Sequence, residues 1–204
     1  MLNRGARAFF TRLFTPLAKA LLKAGIGPDT VTITGTLGAV VSALVLYPMG
    51  QLFWGTVAIT VFVFSDVVDG IMARLSGRHS IWGSFLDSTL DRLVDGVLFG
   101  SVAFWFFTGG GNPVIGGTAL ACLVLGTLVS YARAKAESLG FECNVGIAER
   151  AERLLALLLM TGLTGLGLPE VVLLVTLLLL AVASLITIGQ RMATVHRQAS
   201  QPAK

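Results

Sequence analysis

Long apolar segments separated by short polar breaks make up most of the chain. Six of them run roughly over residues 30–48, 52–75, 84–107, 114–134, 152–168 and 170–190. A helix needs about 20 predominantly apolar residues to cross a bilayer, and Gly and Pro cluster in the breaks, as turns require. The pattern therefore predicts an all-α integral membrane protein with six transmembrane helices.

The composition agrees with a membrane protein. Hydrophobic residues make up 54% of the 204 residues and charged residues only 13%, whereas a soluble domain carries about a quarter charged residues. The length suits a single membrane domain, predicted over residues 25–204. The net charge of +4 comes from basic residues that flank the apolar segments, which favours contact with anionic lipid over binding of nucleic acid.

The distribution of basic residues supports the count of six spans. All fifteen Lys and Arg residues lie before the first segment, around the second and fourth breaks, or after the last segment. Six spans place every one of them on the same side of the membrane, whereas five or seven would scatter them. Because basic loops face the cytoplasm, both termini are predicted to be cytoplasmic in a multi-pass protein of the cell membrane.

Residues 1–24 precede the first span and show no cleavable signal peptide. Apolar side chains recur there at helical spacing between basic residues, at Phe9, Phe10, Leu13, Phe14, Leu17, Leu21 and Leu22. This pattern predicts an amphipathic helix lying in the cytoplasmic membrane interface. A plain anchoring role is favoured over a role in gating a substrate.

Four aspartates interrupt the apolar pattern around the break between the second and third spans. Asp66 and Asp69 are three residues apart, and Asp87 and Asp91 are four apart, so each pair shares one helix face. The spans form a hairpin, and the converging carboxylates would repel one another unless cations neutralised them. Hard oxygen ligands favour Mg²⁺ or Mn²⁺, and four carboxylates suffice for two ions.

Two alternatives account for intramembrane aspartates without catalysis. A purely structural ion-pair network is disfavoured, because buried acids with few nearby cations stabilise helix packing poorly. A carboxylate-lined ion path, as in a cation transporter, is the stronger non-enzyme alternative. It gives no reason for the fixed intervals between the aspartates and glycines.

The spacing of this stretch resembles the signature of the CDP-alcohol phosphotransferase family, D-x2-D-G-x2-A-R-x8-G-x3-D-x3-D. All of its fixed positions are matched, at Asp66, Asp69, Gly70, Ala73, Arg74, Gly83, Asp87 and Asp91. The six-span layout is similar to the fold of that family, so the resemblance covers nearly the whole chain.

The resemblance implies transfer of a phosphatidyl group from CDP-diacylglycerol to an alcohol, with release of CMP. It implies that the four aspartates bind two divalent cations at the cytidine pyrophosphate and that Asp91 is also the general base. It implies further nucleotide contacts at Gly70, Arg74 and, more weakly, Ser80, and at Asp29, Thr30, Val31 and Thr32, some of which would also suit a helix cap. A homodimer is implied as well.

A second cluster of cations lies on the same side of the membrane, at the ends of three different spans. Its members, with one neighbouring hydroxyl, are predicted to bind a phosphate on the acceptor: Ser130, Arg133, Lys135, Arg153 and Arg191. Arg150 belongs to the same basic region, and ordinary flanking of the spans explains at least half of these charges. A phosphorylated acceptor argues against free inositol, serine or choline.

The segments "AGIGPDTVTITGT", "SYARAKAESLG" and "GIAERAERL" resemble the actinobacterial branch of the family that uses inositol phosphate as the acceptor. The alternative acceptor is glycerol 3-phosphate. Of the remaining polar residues, Asp95 is expected to support the site, and His79 and His196 to contact solvent or lipid headgroups. Cys122 and Cys143 show no metal-binding or disulfide pattern and are expected to be structural.

Overall fold

The computed structural model describes residues 4–76 and 81–200, with side chains described from residue 11 onward. These ranges fold into helices alone, which confirms the predicted all-α class. The eight helices are α1 (Arg4–Lys23), α2 (Pro28–Leu46), α3 (Leu52–Val63), α4 (Ser65–Ser76), α5 (Ile81–Thr108), α6 (Pro113–Ser138), α7 (Arg150–Gly165) and α8 (Glu170–Ala199).

The helix boundaries follow from local sequence. Pro28 and Pro113 stand in the first turns of α2 and α6, where the missing N–H costs no hydrogen bond. Asn112 caps α6 by accepting a 3.4 Å hydrogen bond from the Ile115 N–H. The turn before α3 needs a left-handed backbone at residue 50, where Gly50 has φ +74°.

Four helical segments in the described part of the chain are long and apolar enough to cross a membrane. The first is α2, the second is the combined segment of α3 and α4, and the other two are α6 and α8. Helices α5 and α7 occupy the predicted third and fifth spans, but α5 carries charged residues in its first half and α7 has only 16 residues. The structure therefore supports a multi-pass membrane protein, while the full count of six spans stays a prediction.

The main core lies between the long helices. Tyr47, Phe106, Leu157 and Leu173 are fully buried in it, whereas the outer faces of the long helices expose large apolar side chains such as Leu37. In water such exposure would be costly, but lipid tails cover an outward apolar face. The buried and exposed apolar faces therefore suit a bundle surrounded by lipid.

A smaller cluster joins α1 to α4. Ala18 on α1 is buried together with Val68, Ile71 and Met72 on α4, so α1 packs against the helix that carries Asp66 and Asp69. The amphipathic character of α1 and its position in the membrane interface remain predictions.

The break between α3 and α4 positions the first aspartate pair. Only Phe64 separates the two helices, and Gly35 on α2 faces Ser65 at the start of α4. A Cβ atom at position 35 would clash with the Ser65 Oγ, so glycine permits the close approach of α2 and α4. This approach brings Asp69 beside Thr32.

Candidate active site

Two pockets lie side by side at the end of the bundle where α4 ends and α5 begins. The first, here the aspartate pocket, has a volume of about 640 Å³ and is lined from α2, α4 and α5. Its lining includes most of the predicted metal and nucleotide residues: Asp29, Thr32, Asp66, Asp69, Gly70, Arg74 and Asp87.

The second, here the arginine pocket, has a volume of about 710 Å³ and is lined from α5, α6, α7 and α8. It contains the fourth aspartate of the signature, Asp91, together with most of the predicted acceptor residues: Ser130, Arg133, Arg153 and Arg191. The structure thus separates the signature aspartates, with three in one pocket and Asp91 in the next.

Asp69 is the most enclosed of the four signature aspartates. It is 8% exposed and accepts a 2.5 Å hydrogen bond from the Thr32 hydroxyl. A hydroxyl donor that fixes a carboxylate leaves the other oxygen lone pairs available to a cation. Thr32 therefore orients Asp69 toward the pocket that both residues line.

Arg150, the first residue of α7, links the two pockets. Its Nη1 lies 2.9 Å from Asp91 Oδ1 and 3.9 Å from Asp66 Oδ2, and its Nε donates to Asp95 Oδ1 at 3.1 Å. One guanidinium therefore faces carboxylates from both α4 and α5. Arg92 also pairs with Asp95 at 3.5 Å and donates to the Ser130 hydroxyl.

The carboxylates do not yet stand in a metal-ligating arrangement. Within residues 4–76 and 81–200, no three Asp, Glu, His or Cys side chains are grouped closely enough to hold an ion as they are. Arg150 contacts two of these carboxylates, Asp66 at 3.9 Å and Asp91 at 2.9 Å. The chemistry still fits Mg²⁺ or Mn²⁺, because the donors are hard carboxylate oxygens beside a pocket.

Arg153 and Arg191 are buried and bonded to backbone carbonyls. They are 2% and 3% exposed. Arg153 donates to the carbonyls of Ala148, at 2.6 Å, and Gly126, and Arg191 donates to those of Val145, at 3.0 Å, and Val129. These arginines therefore fasten the loop between α6 and α7. A guanidinium has five N–H donors, so each retains hydrogen-bonding capacity toward the pocket that it lines.

Three predicted contacts are not brought to the pockets. Thr30 is exposed and Val31 packs with the α1–α4 cluster, and neither lines the aspartate pocket. Lys135 is exposed and does not line the arginine pocket. Ser80, like His79, lies outside the described residues.

Asp95 forms ion pairs with Arg150 and Arg92, which line the arginine pocket. Its supporting role stays a prediction. His196 is exposed near the end of α8, and Cys122 and Cys143 are buried and free. The main residue that sequence reasoning missed is Arg150, which has no separate role in the sequence-based prediction. Its signal was its position three residues before Arg153 on the same helix face.

Comparison with known proteins identifies a family and its relatives. The model of the CDP-alcohol phosphatidyltransferase family matches residues 26–189. The phosphatidylinositol phosphate synthase of Streptomyces avermitilis is 51% identical over 98% of this chain and 85% of its own length. That of Cutibacterium acnes is 50% identical over 94% of this chain and 96% of its own.

Solved structures of a relative have a similar fold. The Mycobacterium tuberculosis phosphatidylinositol phosphate synthase with CDP-DAG bound superposes with a TM-score of 0.85 at 41% identity, covering 90% of this chain and 94% of that one. The same enzyme in complex with manganese and citrate superposes with a TM-score of 0.86 at 39% identity, covering 93% and 90%.

Proposed function

The chain belongs to the CDP-alcohol phosphatidyltransferase family, and from this premise we propose that it is a phosphatidylinositol phosphate synthase. It transfers the phosphatidyl group of CDP-diacylglycerol to 1D-myo-inositol 3-phosphate and releases CMP. Relatives of 50% and 51% identity carry that name, and a solved relative holds CDP-DAG. These likenesses favour inositol phosphate over glycerol 3-phosphate, and an enzyme over a cation transporter.

The position of Asp91 is the observation that carries the proposal. Asp91 lines the arginine pocket and interacts electrostatically with Asp66 and Asp87, both of which line the aspartate pocket. A transferase with two substrates needs its general base where the two sites meet, within reach of the proton that it removes. The position of Asp91 supports this role.

The aspartate pocket would hold the cytidine diphosphate part of the lipid. Asp66, Asp69, Asp87 and Asp91 would bind two divalent cations, Mg²⁺ or Mn²⁺, which when bound neutralise the pyrophosphate and the leaving CMP. A manganese complex of a solved relative supports a divalent metal. Asp29, Thr32, Gly70 and Arg74 line the same pocket, and Arg74 supplies a positive charge to phosphate.

The arginine pocket would hold the acceptor. Its arginines suit a phosphate group, which the fork of a guanidinium binds in a bidentate manner. With the phosphate held there, an acceptor hydroxyl would reach Asp91. Asp91 takes the hydroxyl proton as the oxygen forms its bond to the phosphatidyl phosphorus, and the bond to the CMP oxygen breaks.

The surroundings of the site complete the proposal. We place the two pockets on the cytoplasmic side of the cell membrane, because the basic residues gather at this end of the bundle. Six spans, an interfacial α1 and a homodimer belong to the same proposal. The six-span count is supported by helices at all six predicted segments.

An acceptor panel tests the function directly. Purified protein with CDP-diacylglycerol should release CMP with inositol 3-phosphate and not with free inositol, and a chelator should stop turnover until Mg²⁺ or Mn²⁺ is restored. Turnover with glycerol 3-phosphate alone would assign the alternative acceptor. If no acceptor leads to CMP release and the protein carries metal ions into vesicles, the protein is a transporter and not this enzyme.

Arg153→Ala should affect one substrate selectively. A hydrogen bond to a charged group contributes about 1.5–3 kcal/mol, so kcat/KM for inositol phosphate should fall at least about tenfold, with little change in the KM for CDP-diacylglycerol. Arg153→Lys should recover part of the loss, because the charge returns without the fork. Arg191→Ala should behave in the same way.

The control for both variants is Arg197→Ala. Arg197 is exposed near the end of α8, where it bonds only weakly to Thr194 at 3.4 Å, and its removal should leave both KM values unchanged. If the Arg153 and Arg191 variants weaken the use of both substrates equally, these arginines do not bind the acceptor phosphate. Their role would then be to hold the loop between α6 and α7.

A further inference from the structure

Arg150 stands where two kinds of positive charge would compete. Its guanidinium contacts Asp91 at 2.9 Å and Asp66 at 3.9 Å, and both carboxylates belong to the proposed metal site. A divalent cation bound to Asp66 and Asp91 would lie close to this guanidinium. Two positive charges at such distances repel each other, so the ion and the guanidinium would compete for these carboxylates.

Arg150 has a second place available. It lines the arginine pocket as well, where Arg153 and Arg191 are held by backbone carbonyls. Its bond to Asp95, 3.1 Å from Nε, involves a carboxylate outside the signature. This bond can persist when Asp66 and Asp91 let go, and it keeps the side chain beside both pockets.

We propose that Arg150 is an internal counter-ion that competes with the divalent cation for Asp66 and Asp91, and that its release provides a further guanidinium for the acceptor phosphate. Before the metal binds, Arg150 reduces the repulsion between the carboxylates. After the metal binds, Arg150 is free to turn toward the arginine pocket. Metal binding and acceptor binding therefore favour each other.

The acceptor half of this inference rests on the proposed function, whereas the metal half does not. Two binding sites that share one switching side chain are coupled equally in both directions, by typically about 5–150-fold in affinity. The two halves are tested separately, so that failure of the acceptor assignment is distinguishable from failure of the competition.

The first experiment measures Mn²⁺ binding to substrate-free protein by isothermal titration calorimetry. Arg150→Gln should bind Mn²⁺ at least about fivefold more tightly than the wild type, because the competitor is gone. Arg150→Lys keeps the positive charge without the forked guanidinium, so its Mn²⁺ affinity should lie between those of the wild type and Arg150→Gln. This variant also provides the test if Arg150→Gln does not fold. Arg197→Gln is the matched control and should equal the wild type.

The sign of the change decides the outcome. A purely supporting arginine would fix Asp91 for the metal, so its loss would weaken Mn²⁺ binding. Unchanged or weaker binding in folded Arg150→Gln, or in Arg150→Lys, would overturn the proposal. Thermal unfolding of each variant, followed without metal, establishes that the compared proteins are folded.

The second experiment measures inositol 3-phosphate binding with and without Mn²⁺. In the wild type Mn²⁺ should tighten it, and in Arg150→Gln most of that gain should vanish. A gain of equal size in both proteins would overturn the second half of the proposal. If the wild type binds no inositol phosphate while the Mn²⁺ result holds, the acceptor assignment is wrong and the competition at Asp66 and Asp91 stands.

Discussion

Asp91→Asn should lower kcat by roughly 10²–10⁴-fold, the range in which a positioned general base contributes to proton transfer. The substitution preserves the shape of the side chain and removes the lone-pair basicity that takes the acceptor proton. Because Asp91 lines the arginine pocket rather than the aspartate pocket, binding of CDP-diacylglycerol should fall far less than turnover. Single-turnover kinetics and lipid binding, measured on the same preparation, separate the two effects.

The matched control is Glu142→Gln. Glu142 is an exposed carboxylate in the loop between α6 and α7 and lines neither of the two pockets, so kcat should not change. Near wild-type kcat in Asp91→Asn would place the base elsewhere. If Asp91→Asn weakens only the binding of CDP-diacylglycerol, Asp91 acts as a metal ligand and not as the general base.

Much of the fold was predictable from hydropathy, because α2, α6, α8 and the combined segment of α3 and α4 are long apolar segments. The break at Phe64 was not, since the apolar run continues through it. Ser65 meets Gly35 there, and a contact between residues thirty positions apart leaves no mark on the local periodicity. The same break places Asp66 and Asp69 in the first turns of α4.

Helix geometry separates the predicted site residues that line a pocket from those that do not. Asp29 and Thr32 are three residues apart and share a face, and both line the aspartate pocket. Thr30 and Val31 lie between them and point elsewhere. Lys135 is two residues after Arg133, which turns it away from the arginine pocket. Spacing alone therefore indicates that these three residues do not face the pockets.

The ion pairs of Arg150 could not be predicted from helix spacing, because they join distant parts of the chain. Arg150 meets Asp95 and Asp91, which are more than fifty positions away in the sequence, only because α7 begins beside α5. The signature fixes the carboxylates at set intervals along two helices. It contains no position for Arg150, the cation that contacts Asp66 and Asp91 in the structure. Within the described residues, no three carboxylates are grouped closely enough to hold an ion as they are.

Asp69→Asn should nearly abolish turnover by removing a charged metal ligand. A bound metal stabilises the developing charge by several kcal/mol, so the loss should be at least about a hundredfold. Asp69 is nearly buried, and the isosteric amide would keep its packing. The measurement is the rate of CMP release at increasing Mn²⁺ concentrations. If Asp69→Asn reaches full turnover at the same Mn²⁺ concentration as the wild type, Asp69 does not belong to the metal site.

Thr32→Val tests the same site without touching a ligand. It deletes the hydroxyl that donates to Asp69 at 2.5 Å, and loss of a group that orients a metal ligand typically costs about 10–100-fold in metal affinity or activity. High Mn²⁺ should therefore restore much of the activity of Thr32→Val and little of that of Asp69→Asn. Thr34→Val is the control, because the Thr34 hydroxyl bonds to the Thr30 carbonyl at 2.8 Å on the exposed side of α2. If Thr32→Val and Thr34→Val give the same Mn²⁺ curve, the Thr32 hydroxyl does not orient Asp69 for the metal.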